Sequence, residues 1–145
     1  MKKTYLLDTN IVSEFSKLRP DMQVLELYRA RKGLCAISAV TWQELIRGIS
    51  RMADGRKKRY LEECLLNYEE CLEVIPYDKF AARVCGEIQA QMEKDGVTLP
   101  SYDSQIAATA VSNGMVLVTH NTADFEPIVE KSYLRLEDWF RYEIR

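Results

Sequence analysis

Short apolar runs and helical stripes take turns along this chain, and their order predicts an α/β domain with a mostly parallel central sheet flanked by helices. Thr4 to Leu7 reads as a first strand. Ile11 to Lys17 and Asp21 to Lys32 read as helices divided by Pro20, which a helix interior would not accept. Leu34 to Ser38 is a second strand. From Ala39 onward, Trp42, Leu45, Ile46, Ile49, Met52 and Ala53 fall on one helical face, and after a break at Asp54 and Gly55 the stripe resumes with Leu61, Cys64, Leu65 and Tyr68. Leu72 to Ile75 supplies a third strand, followed by a helix capped by Asp78, striped by Ala81, Val84, Cys85, Ile88 and Met92, and ending near Asp95 and Gly96. Beyond Pro100, Asp103 begins a helix whose stripe is Ile106, Ala107, Ala110 and Val111; Asn113 and Gly114 stop it. Met115 to Val118 is a fourth strand, a short helix runs through Phe125 to Val129, and Tyr133 to Leu136 gives a fifth strand before a terminal turn over Glu137 to Tyr142.

At 145 residues, with no repeat, linker or low-complexity tract, the chain reads as a single domain over 1–145, large enough to bury a core without disulfides. No apolar run approaches the roughly 20 residues of a membrane span, and Asp8 interrupts the stretch that a signal peptide would continue, so a soluble cytoplasmic protein is expected. Cys35, Cys64, Cys71 and Cys85 form no C-x-x-C pair, which argues against a zinc site or a thioredoxin-like motif and suggests reduced core thiols.

Four acidic residues change the picture. Asp8, Glu44, Asp103 and Asp124 each lie where an element starts or stops, and two of them stand close behind strands, where sites collect in α/β domains. Singly, each has a plainer reading. Asp103 suits the first turn of a helix, and Glu44, two residues from Trp42, should point away from its helix's apolar stripe and pair with Arg47. Together they are the hard oxygen ligands that Mg²⁺ or Mn²⁺ prefers, and such a site suits phosphodiester hydrolysis by a metal-activated water. Thr9, Asn10, Thr119 and Asn121 are short polar side chains placed to orient those carboxylates. His120 is the only histidine, so neither a two-imidazole ribonuclease mechanism nor a histidine zinc site is available; it is expected to be structural or to contact substrate. The formal charge of −2 shows no overall basic field. Arg47, Arg51 and the run Arg56, Lys57, Lys58 and Arg59 nevertheless form a local basic cluster able to steer a polyanion, or else a solvated helix end.

Leu7-Asp8-Thr9-Asn10, continuing through Ile11-Val12-Ser13-Glu14, resembles the opening motif of PIN-domain ribonucleases, specifically the VapC and FitB-like toxins of type II toxin–antitoxin pairs. Glu44-Leu45 with Gly48, Asp103 with Ile106-Ala107-Ala108 and Ala110, and Leu117-Val118-Thr119 with Asn121, Asp124 and Phe125 resemble the family's three later motifs, in order. The resemblance implies that the four acids form one pocket, that Asp8 and Asp103 are its foremost Mg²⁺ ligands, and that Glu44 belongs to it despite the helical pattern. It further implies an RNA substrate, a homodimer and a small antitoxin partner. Bulky Tyr102 beside Asp103 and the charged link Glu130-Lys131-Ser132 depart slightly from the pattern. A phosphorylated receiver domain fits poorly, because a single Asp8 follows the first strand. A catalytically silent binding module and a housekeeping RNA-processing nuclease of the same fold are the other readings.

Overall fold

The computed structural model describes residues 2–140 and the backbone of 143–144. Its sheet comprises β1 (Tyr5–Leu7), β2 (Cys35–Ser38), β3 (Glu73–Ile75), β4 (Val116–Val118), β5 (Arg135–Asp138) and β6 (Glu143–Ile144), in the order β3-β2-β1-β4-β5-β6. The first five strands are parallel, and β6 runs antiparallel to β5. Among the described residues, seven α-helices accompany them: α1 (Thr9–Val12), α2 (Met22–Ala30), α3 (Ala39–Ser50), α4 (Arg56–Cys71), α5 (Lys79–Lys94), α6 (Ser101–Ser112) and α7 (Thr122–Lys131). None is long and apolar enough to cross a membrane.

Each strand sends alternate side chains to opposite faces, so the sheet separates two cores. Leu6, Ala36, Ile75, Leu117 and Leu136 face α5, α6 and α7. On the other side, Leu7, Cys35, Ile37 and Val118 pack with Ile11, Val12, Val24, Leu45 and Trp139. The central strands β1 and β4 are apolar throughout and largely buried, which is why three residues sufficed to mark each of them. Small residues bring α6 against the sheet, with Ala107, Ala108 and Ala110 fully buried. Gly96 and Gly114 hold φ of 73° and 64°, a left-handed conformation that lets the chain leave α5 and α6.

Four expectations need correction. Ile11 to Lys17 is not one helix: α1 gives way to a 3₁₀ turn over Ser13–Ser16, anchored by buried Glu14, whose carboxylate accepts from the Asp21 N–H at 2.9 Å and pairs with Lys17. The fifth strand runs on through Glu137 and Asp138 instead of ending at Leu136, while Arg141 and Tyr142 of the expected terminal turn lie outside the described residues. The cysteines are free thiols, but Cys71 is exposed and Cys64 half-buried, because α4 buries none of its residues fully. The stripe assigned to α3 is also rotated: Ile46 is exposed, whereas Val40, Thr41 and Leu45 are buried.

Candidate active site

The strand order reverses between β1 and β4, and at such a switch point the connections leave toward opposite faces and open a crevice at the strands' carboxyl ends. Asp8 stands immediately after β1, where it caps α1 and is only 6% exposed. Its Oδ1 accepts from the Thr9 N–H at 2.8 Å; its Oδ2 accepts from the Thr119 hydroxyl at 2.8 Å and from Asn10 Nδ2 at 3.3 Å. Thr119 follows β4, so the carboxylate is bonded across the switch point by residues 111 positions apart. Those three bonds favour the ionised form. Burial outweighs them, and with help from the charge of Asp124 it raises the Asp8 pKa above the ordinary carboxylate value.

Glu44 reaches the same crevice because of how α3 is seated. Ser38 caps the helix by accepting from the Thr41 N–H at 3.0 Å and lies within 3.2 Å of the Thr41 hydroxyl, so polar Thr41 turns inward. At about 100° per residue, Glu44 then falls between Val40 and Thr41 on the buried arc. Its pKa is raised by burial first and then by Asp8, with a smaller push from Asp103 and only a weak opposing pull from Arg47. Thr9 Oγ1 stands near enough to help the charged form, yet it is buried without reaching hydrogen-bonding geometry to any group among the described residues. Asp103, in the first turn of α6, is half-buried; burial, then Asp8 and Asp124, raise its pKa too. Asp124 is exposed in the first turn of α7. Four elements from both sides of the sheet thus bring Glu44, Asp103 and Asp124 within electrostatic reach of Asp8, and Asp103 within reach of Glu44 and Asp124 as well.

The flanking candidates divide. Asn10 and Thr119 bond Asp8 directly, whereas Asn121 contributes its backbone N–H, which donates to Thr119 Oγ1 at 3.1 Å. In the basic run, Lys58 is half-buried and donates to the Ser50 carbonyl and to Asp54, closing the α3–α4 connection. Arg47, Arg51, Arg56, Lys57 and Arg59 are exposed. His120 lies beside the crevice with its N–H donating to Asn10 Oδ1 at 2.9 Å, its Nδ1 3.0 Å from Asp138 Oδ2 and its ring 4.2 Å from that of Phe140. The pattern of the chain offered no signal for Asp138, a buried carboxylate 18 positions away on β5.

The donor set suits a hard divalent cation: carboxylates that raise one another's pKa hold uncompensated negative charge, and the orphaned Thr9 hydroxyl adds an oxygen without a partner. Among the described residues no three carboxylate, imidazole or thiol groups stand close enough to enclose an ion. An open set of one or two carboxylates, completed by water and phosphate oxygens, is how Mg²⁺ is usually held.

Fold and crevice together define a doubly wound α/β domain with an acidic switch-point site. The chain belongs to the PIN-domain family, whose pattern matches residues 5–130. It is 33% identical over 135 residues to the tRNA(fMet)-specific endonuclease VapC of Shigella flexneri, covering 93% of this chain and 97% of that one. Toxin FitB of Neisseria gonorrhoeae is 29% identical over 127 residues, 83% of this chain and 89% of its own. Among solved structures, a DNA-bound VapBC complex from Salmonella typhimurium superposes with a TM-score of 0.81 at 29% identity, covering 94% of this chain and 98% of that one.

Proposed function

We propose that this chain is a metal-dependent endoribonuclease, the toxin of a type II toxin–antitoxin pair, acting in the cytoplasm as one nuclease unit over residues 1–145. The observation that carries the reading is the convergence of Asp8, Glu44, Asp103 and Asp124 from four separate elements on one crevice. Relatives named as VapC endonuclease and FitB toxin, matched over most of their length, support the biological role.

Asp8 and Asp103 would hold Mg²⁺ or Mn²⁺, Glu44 and Asp124 would complete the pocket, and Thr119 and Asn10 keep Asp8 in one rotamer. When bound, the ion supplies Lewis acidity and a water of lowered pKa. No side chain needs to act as a nucleophile, and the products are a 5′-phosphate and a 3′-hydroxyl. Arg47, Arg51, Arg56, Lys57 and Arg59 would meet RNA phosphates, with Lys58 held back by its loop bonds.

A groove of about 890 Å³ opens from Thr9 and Glu44 over an apolar floor that includes Leu45, Ile49, Met52 and Leu61. Lys17, Arg56 and Lys57 line it as well. Such a groove supports docking of an apolar antitoxin segment, with an antitoxin arginine forking onto the neighbouring carboxylates. A homodimer is part of the same reading.

The deciding experiment maps cleavage ends across total cellular RNA with and without divalent metal, in strains expressing the chain alone or with its neighbouring gene. Growth arrest, metal-dependent cuts bearing 5′-phosphate, and relief by a small co-purifying protein are expected. Ends carrying 2′,3′-cyclic phosphate, or full cleavage in chelator, would overturn the mechanism. Metal-dependent cleavage without arrest or partner would make the chain a housekeeping nuclease.

A further inference from the structure

Hydrolysis by a metal-activated water leaves the ribose 2′-hydroxyl out of the chemistry, so an enzyme of this kind that prefers RNA must recognise that hydroxyl by contact. The residues at the mouth of the crevice are nearly all committed. Asn10 donates to Asp8 and Thr119 and accepts from the His120 N–H. Thr119 Oγ1 donates to Asp8 and accepts from the Asn121 N–H, and Thr9 Oγ1 is buried.

The imidazole of His120 differs. Its backbone is tied through Asn10 to the same carboxylate that anchors the site, its ring packs 4.2 Å from Phe140, and its side chain remains 40% exposed. Asp138, with a side chain only 4% exposed, also accepts from the Phe140 N–H at 2.9 Å, so its orientation is set independently of the histidine. A carboxylate only accepts hydrogen bonds, so Nδ1 must carry the proton facing it. In the neutral ring the lone pair is then on Nε2, which has no partner among the described residues. In that neutral form the ring is a positioned acceptor on the flank of an acidic crevice.

We propose that His120 is a specificity-determining contact whose Nε2 accepts a hydrogen bond from the 2′-hydroxyl of a nucleotide flanking the scissile phosphate, with Asp138 and Phe140 as positioning residues. The inference rests on the reading of this site as a ribonuclease.

A short RNA containing a cleavage site mapped for the wild type is made with a 2′-deoxy sugar at each flanking nucleotide in turn. Cleavage by wild type, His120→Ala and Asp138→Asn is then measured with metal at mildly alkaline pH. Wild-type kcat/KM should fall about 5-fold at one deoxy position, the worth of one hydrogen bond. His120→Ala should lose a similar factor on all-ribose RNA and be indifferent to that sugar. Asp138→Asn keeps the acceptor for the Phe140 N–H but presents an N–H to Nδ1, which puts the ring proton on Nε2; it should be equally indifferent while retaining its melting temperature. If both variants lose the same factor on ribose and deoxy substrates, or no single deoxy substitution affects the wild type, His120 does not read the 2′-hydroxyl. A loss confined to the salt dependence of binding would make it a phosphate contact and also overturn the proposal. Failure of the wild type to cleave RNA at all would instead remove the ribonuclease reading beneath it.

Discussion

Replacing Asp8 by asparagine should separate catalysis from folding, because opposing contributions to stability nearly cancel at that position. The amide retains the Oδ1 acceptor for the Thr9 N–H and removes a buried charge that lies near Glu44, Asp103 and Asp124. The cost falls on Oδ2, where an NH₂ now faces two groups. Thr119 Oγ1 already accepts from the Asn121 N–H, so it can take the new NH₂ only by giving up its 3.4 Å bond from Asn10 Nδ2, which then loses both acceptors. Each lost hydrogen bond costs about 1 kcal/mol. Relief of desolvation and repulsion works the other way, since the raised pKa of Asp8 means that the ionised form is disfavoured in the fold. The metal-free variant should therefore melt within about 4 °C of wild type, or above it. Metal separates the two proteins: at about 100 times its Kd, Mg²⁺ should add roughly 2.7 kcal/mol to the stability of wild type and far less to that of the variant. Losing about 4 kcal/mol of electrostatic assistance at the reacting centre would slow cleavage by about a thousandfold. Calorimetry with and without Mg²⁺, beside cleavage of a defined RNA, tests both. Equal metal stabilisation in the two proteins, or wild-type cleavage by Asp8→Asn, would refute the assignment of Asp8 as a metal ligand.

Asp8, Glu44 and Asp103 all have raised pKa values, so the folded metal-free protein binds more protons than the unfolded chain once pH exceeds the ordinary values of 3.8 and 4.5. Their contribution to stability is fully present below those values and is lost as pH rises through the folded pKa values. Urea titrations of Asp103→Asn should show a flatter decline across that window than wild type, and an unchanged pH profile would argue against the coupling. Neutralising Arg56 and Lys57 together should weaken RNA binding and flatten its salt dependence, while a Lys58 variant loses some stability and leaves the slope alone; equal slopes in all three proteins would return the run to a solvated helix end. Glu14→Ala removes a buried carboxylate that accepts from the Asp21 N–H and pairs with Lys17, and its urea midpoint should report a loss of about 2 kcal/mol. A change below about 0.5 kcal/mol would show that the turn between α1 and α2 holds without it.

The sequence by itself determined what depends on near neighbours. Strands buried on both faces must be apolar throughout, so Leu6-Leu7, Ala36-Ile37 and Val116 to Val118 declared themselves within a few residues. Helix ends likewise followed from Asp78 as a cap and from Gly96 and Gly114 as left-handed exits. The four acids were recognisable as a set through motifs whose order survives in the chain. Tertiary structure decided where they point. Glu44 looked solvent-facing because Thr41, being polar, was not counted as core; with Thr41 bonded to Ser38 and buried, α3 is turned so that Glu44 is half-buried instead of fully exposed. Lys58 looked like its basic neighbours until the loop below it supplied the Ser50 carbonyl as an acceptor. Asp138 lay in a segment read as a turn, and only the pairing of β5 with β4 carries it to the end of the sheet beside His120. Hydrophobic periodicity reports which face of an element is buried, but the convergence of side chains from different elements depends on the order β3-β2-β1-β4-β5, which is set by contacts between residues far apart in the chain.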